Sequence, residues 1–215
     1  MPGCARKEIV RPGVPGLFHC WSRCVRRAFL LGKDPLTGKD YSHRRAWVLE
    51  RLELLVANFA IDVAFWAILS NHLHLVLRSA PRLVKRMGDW EVARRWLRVY
   101  PGRRVLDGCW IEPTEKQVRA LAADKERLAR IRKRLSNISW FMGALSEYIA
   151  RRSNREDSVS GRFWEGPMSC VAPLHLTKLE FTGDFACEAQ FSANFRGMDA
   201  GVRNSSGGLG RPCPV

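Results

Sequence analysis

The order of elements legible in the sequence predicts an α+β sandwich: one antiparallel sheet with helices packed on one face. Three observations carry this. The segments read strand, helix, strand, strand, helix, strand. The two middle strands are separated only by a short turn signal, as in a hairpin. Each helix carries a single apolar stripe. That order suits a ferredoxin-like, RNA-recognition-like arrangement.

The first strand is read at about 17–24 within "GLFHCWSRCVRRAFLL", followed by a loop, "GKDPLTGKDYS", whose Gly, Pro and Asp mark turns. Ser42 is placed to cap the first helix, in which Val48, Leu52, Leu55 and Phe59 recur at helical spacing from His43 onward. "IDVAFWAILS" (61–70) and "NHLHLVLRS" (71–79) are rich in β-branched and apolar residues and read as paired strands around a Ser70-Asn71 turn. Residues 80–137 read as a charged helical insertion. Asn137 then precedes a second stripe, Ile138, Phe141, Leu145 and Ile149, and "NREDSVSG" reads as a turn. "RFWEGPMSCVA" (162–172) suits a last strand, with Pro167 marking an edge or a break. One domain is thus expected over 8–172, followed by a divergent tail, 173–215, whose Gly/Ser/Pro-rich end predicts partial disorder.

The chain has 215 residues and a formal net charge of +15. Acidic and basic residues balance from 172 onward, so the excess lies before it. Such an excess argues for a polyanionic partner, with nucleic acid ahead of an anionic membrane surface. No apolar run is long enough to span a bilayer, and no apolar stretch follows the charged N-terminus as in a secretory signal. Seven cysteines, an odd count without a C-x-x-C pair, argue against a disulfide framework or a thiolate zinc site and suit a reducing cytoplasm.

"ILSNHLHLVLRS" raises the sharpest question. Side chains at i and i+2 of a strand share a face, so His72 and His74 project together while Leu73, Leu75 and Leu77 project to the helices. Two imidazoles side by side can bind one divalent ion. The plainer reading is two unconnected polar residues on a solvated sheet face.

Three stretches favour the metal. "AILSNHLHLVLRS" resembles the His-hydrophobe-His motif of the insertion-sequence-200-like and REP-associated single-tyrosine (HUH) transposases, with Ser70 where proline is common. "RRSNREDSVSGRFWEG" (151–166) is similar to the family's Asn-Arg-Arg…Gly-x-Leu/Phe-Trp-x-Gly stretch, and "RPGVPGLFHCWSRCVRRAFL" is a weaker match at the first strand. The resemblance covers about 8–166 around the insertion. It implies an HUH nuclease core that binds single-stranded or hairpin DNA as a homodimer. His72 and His74 would hold Mg2+ or Mn2+, which polarises the scissile phosphate. Tyr148 would attack to form a 5′-phosphotyrosine. Tyr148 also lies on the apolar stripe, so a core tyrosine is the competing reading. Glu147 is the candidate third ligand, with Asn154 the alternative. The basic residues expected to hold DNA are Arg23, Arg26, Arg27, Arg151, Arg152 and Arg155, and Trp164 joins Trp21, Trp66, Trp110 and Trp140 as a candidate base-stacking surface. From Pro167 onward the sequence leaves the family pattern, as a frameshifted or degenerate gene end would make it. A catalytically impaired, domesticated DNA- or RNA-binding protein on the same fold is therefore the alternative function.

Overall fold

The structure, a computed structural model, describes residues 13–25, 28–101, 105–106, 109–110, 112–166 and 168–171, with side chains described outside 102–111. It is α+β. Strand β1 (Gly16–Arg23) leads to helix α1 (Arg44–Asn58), the hairpin of β2 (Ile61–Ile68) and β3 (His72–Ser79), helices α2 (Pro81–Arg86) and α3 (Asp89–Val99), and a short hairpin of β4 (Val105–Leu106) and β5 (Cys109–Trp110). Helices α4 (Glu115–Ala123), α5 (Lys125–Arg134) and α6 (Ile138–Glu156) and strand β6 (Ser169–Val171) follow.

The main sheet is four-stranded, with order β2-β3-β1-β6 and antiparallel pairing throughout. This is consistent with a ferredoxin-like fold, in which the first and third strands are central. The insertion, 80–137, supplies α2 to α5, which lie beside this unit, and α3 packs on α1.

Alternation decides the two faces of the sheet. Phe18, Cys20 and Ser22 of β1, Trp66 and Ile68 of β2, and Leu73, Leu75 and Leu77 of β3 are buried. They meet the stripes foreseen for the helices: Val48, Leu52 and Leu55 of α1, and Phe141, Leu145 and Ile149 of α6. The ring of Phe141 sits edge-on to Phe59 at 5.4 Å between centroids, a preferred aromatic geometry. The other face carries His19, Trp21, Arg23, His72, His74 and Arg78, all half-buried or exposed.

Four expectations are corrected. Ser42 does not cap α1; its hydroxyl donates to Asp40 Oδ1 at 2.6 Å, and the N-cap position is His43. Helix α6 runs through Asn154 to Glu156 instead of ending before it. Nothing from Ser153 to Glu156 breaks a helix, and Gly161, at φ 111°, makes the turn instead. The last strand shrinks to three residues, with Trp164 reduced to an isolated bridge to Cys24; Pro167, expected to mark an edge or a break, lies outside the described residues. Finally, Cys20 and Cys170 are joined by a disulfide between β1 and β6. Composition and spacing did not reveal this pair because only the register, which sets these two residues opposite each other with Cα atoms 4.3 Å apart, brings them together.

The helical layer is tied at one end by a buried charge. Arg44, the first residue of α1, has a fully buried side chain. Its Nε donates to Glu156 Oε2 at 2.7 Å and its Nη1 to the Phe29 carbonyl at 2.7 Å. Its Nη2 lies 2.7 Å from Asp157 Oδ1, and the Tyr41 ring covers the guanidinium at 4.3 Å. Each charge sits at the unfavourable end of its own helix, a cation at an N-terminus and two carboxylates at a C-terminus. Bringing the two ends together offsets both.

Candidate functional site

Strand β3 sets His72 and His74 on the open face because the flanking leucines are claimed by the core. Strand β1 runs antiparallel beside it, with Trp21 opposite His74 and Arg23 opposite His72. His19, two residues before Trp21, shares that face and reaches His74 diagonally, the kind of cross-strand contact sheet geometry allows. The result is a row of three imidazoles. His19 Nε2 and His74 Nδ1 are 3.0 Å apart. The His19 and His74 rings stack at 5.2 Å between centroids with 14° between planes, and His72 meets His74 edge-on at 5.0 Å. Trp21 lies 5.3 Å from His19, ring to ring. Asn71 Oδ1 is 2.7 Å from His72 Nδ1.

Electrostatics keep this row uncharged. Burial pushes the pKa of His19 down from its ordinary value. Burial, and then the Arg23 guanidinium, do the same for His72. His74 is pushed down to about 4 by burial and by the two imidazoles flanking it. All three are therefore neutral near pH 7, the protonation state that metal ligation requires.

The donor chemistry fits a divalent ion, and it favours Mn2+ over Mg2+ because imidazole is a softer ligand than the oxygens Mg2+ prefers. Among the described residues, no group of three His, Cys, Asp or Glu side chains is arranged to hold one ion. The histidine pair would thus need oxygen ligands from a phosphate or from water.

The other residues singled out in the sequence fall into three places. Arg23 is at the site, largely exposed and 3.9 Å from Glu165. Arg26 and Arg27 lie outside the described residues, as does Trp110's side chain. Tyr148, Glu147, Arg151, Arg152 and Arg155 all belong to α6, on the helical side of the sheet and so across it from the histidines. Glu147 pairs with exposed Arg151 at 2.7 Å. The Tyr148 hydroxyl accepts from Arg152 Nη1 at 2.6 Å, and Arg51 lies over its ring at 5.1 Å. Asn154 donates to the Gly161 carbonyl at 3.0 Å, a helix-end role. The other tyrosines are tied elsewhere: Tyr41 stacks on Phe29, and Tyr100 packs on Trp96 and Trp140.

Of the tryptophans, Trp164 donates its indole N–H to the Ser146 carbonyl of α6 at 2.9 Å and packs edge-on against Phe163, so it anchors the segment before β6. Trp66 is in the core. Trp140 faces Arg134 at 4.1 Å, away from the sheet's open face. Trp21 alone of the four whose side chains are described joins the histidine row.

His19 escaped the sequence reading. Its signal was present: His19, Trp21 and Arg23 alternate with the apolar Phe18 and Cys20, which puts an imidazole on the same face as His72 and His74 once β1 and β3 are paired. No protein-family model, curated protein or solved structure matches the chain.

Proposed function

We propose that the chain binds single-stranded or hairpin DNA across the open face of the sheet, on an HUH-type core in which His72 and His74 take a divalent ion against a phosphate. One observation carries this reading: a row of neutral imidazoles on an open sheet face, flanked by an aromatic ring, Trp21, and a cation, Arg23. The parts divide the task. Trp21 offers a stacking surface for an unpaired base. Arg23 and the net charge of +15 attract the backbone. The ion, when bound, would supply Lewis-acid polarisation of a phosphate oxygen.

Binding is favoured over strand transfer by this chain's own Tyr148, because Tyr148 sits across the sheet with its hydroxyl held by Arg152. The reading is that of the impaired, DNA-binding member of the transposase type.

The test is fluorescence anisotropy with labelled single-stranded, hairpin and duplex DNA over a range of salt concentrations, with and without Mn2+. The expected result is preference for the unpaired and hairpin probes, with a log–log salt slope of about 0.7 per neutralised phosphate. Mn2+ should bind the wild type and not the His72→Ala, His74→Ala double variant. A slope near zero, or equal Mn2+ binding by both proteins, would refute it.

A further inference from the structure

Helices α2 and α5 of the insertion lie against each other. Arg132 of α5 fastens them, donating through Nη1 to the Val84 carbonyl of α2 at 2.8 Å. Each helix turns its apolar residues inward: Pro81 and Val84 of α2, Leu128 and Ile131 of α5. The remaining positions of the helical period form the outer face. Arg82, Lys85 and Arg86 of α2 and Lys133 of α5 are exposed there. Helix α2 has no acidic residue, and α5 has one, Glu126, against six cations. The acidic groups of this region are already taken. Arg130 holds Glu126 at 2.6 Å, and Lys125 and Arg132 share Asp89 at 2.6 and 2.7 Å. Asp124 caps α5 by accepting from the Arg127 N–H. Arg82, Lys85, Arg86 and Lys133 make no ion pair with any described residue.

We propose that the exposed face of α2 and α5 is a second nucleic-acid surface, which holds the phosphate backbone of a duplex through Arg82, Lys85, Arg86 and Lys133 without reading its sequence. It goes beyond the open-face site and needs neither the histidines nor an ion. Charge complementarity selects the occupant: a duplex carries about one negative charge per 1.7 Å of axis, and cations that neutralise it release condensed counterions. Neither helix contains an aromatic residue, so this face offers no stacking platform to unpaired bases. Contacts to phosphate alone position a duplex and carry no sequence information. An anionic membrane fits less well, because a helix lying on a bilayer presents an apolar face to it, whereas these two turn theirs into the core. Leu83 is the one large apolar side chain of α2 and α5 that stands exposed. The exposed pairs of Lys125 and Arg130 contribute little to stability, so both cations can turn to phosphates as well.

The test separates this face from the charge of the chain as a whole. One variant carries Lys85→Gln, Arg86→Gln and Lys133→Gln. A charge-matched control carries Lys33→Gln, Lys116→Gln and Arg162→Gln, three exposed cations outside α2 and α5. Glutamine keeps a helix propensity close to that of Lys and Arg, and every substituted side chain is exposed, so both variants keep the fold. Binding of a labelled blunt-ended duplex of mixed sequence is followed by fluorescence anisotropy over a range of salt concentrations, without Mn2+. A single strand of the same length and phosphatidylserine vesicles are tested in parallel.

The expected result is duplex binding by the wild type and a loss of about 10–100-fold in the α2–α5 variant at low salt, with the log–log salt slope reduced by about 0.9 for each contact removed. The control should keep the wild-type slope. Failure of the wild type to bind duplex, or equal losses in the two variants, would overturn the surface. A larger loss on the single strand than on the duplex would overturn the choice of partner. So would vesicle binding that the α2–α5 variant loses while its duplex affinity stays at the wild-type value.

Discussion

Replacing Arg44 with methionine tests whether a charge pair of helix ends holds the layer behind the sheet. The guanidinium is fully buried, while the side chains of its partners Glu156 and Asp157 keep 25% and 21% of their exposure. Breaking a buried pair by removing one partner costs about 3–5 kcal/mol, because a charge is left uncompensated. Here the remaining carboxylates are partly in water, and Lys39 and His43 stay beside them at 3.0 and 2.7 Å, which lowers the cost. The Phe29 carbonyl also loses a donor, for about 1 kcal/mol. Methionine fills much of the space, so little cavity cost is added. The expected loss is about 2–4 kcal/mol, or roughly 5–12 °C in Tm for a chain of this size.

The pH dependence carries the sign. Burial alone would raise the Asp157 pKa, but hydrogen bonds from Arg44 and Lys39 outweigh it and hold it below the ordinary value. A carboxylate with a depressed folded pKa stabilises the fold above its unfolded pKa, and that contribution is lost as pH falls through the folded one. The gap between wild type and variant should therefore narrow as pH drops below about 4. The assay is urea unfolding followed by tryptophan fluorescence at pH 7 and at stepped acid pH. A loss below about 0.5 kcal/mol at pH 7, the size of an ordinary surface change, or a gap that does not change on acidification, would refute the reasoning.

Two further outcomes are expected. Cys170→Ser removes the only covalent tie of β6 among the described residues, closing a 150-residue separation, and should cost about 2–4 kcal/mol; unfolding curves that match those of the untreated wild type would contradict it. Tyr148→Phe removes the hydroxyl that accepts from Arg152, costs about 1 kcal/mol and leaves DNA and Mn2+ binding unchanged. A covalent protein–DNA adduct on a denaturing gel that forms with wild type and vanishes in this variant would show that Tyr148 reaches the phosphate after all.

What was legible in the sequence follows from what is local. Alternation in "HLHLVL" and the spacing of Phe141, Leu145 and Ile149 report which side of each element is buried, because that depends only on the element's own period. Burial then fixes the sheet's two faces, and His72 and His74 fall on the open one. What was not legible depends on register and on helix ends. The Cys20–Cys170 bond and the His19–His74 contact exist because β1 pairs with β6 and with β3 in one alignment, and a slip of one residue would turn every one of these side chains to the other face. The Arg44 clamp joins residues 112 apart in sequence, and nothing near either end announces it.

The placement of Tyr148 follows from the same logic. On α6 the residues at 141, 145 and 149 must face the sheet, and 148 then lies beside that stripe, at the rim of the helical layer. No rotation of α6 could bring its hydroxyl round to the open face without exposing Phe141, which is wholly buried against Phe59; truncating a core Phe of this kind typically costs about 3–5 kcal/mol. The sheet itself therefore separates Tyr148 from the imidazole row in one chain, and under the proposed reading DNA laid on that row would meet Trp21, Arg23 and the histidines, with no tyrosine hydroxyl of α6 among its contacts.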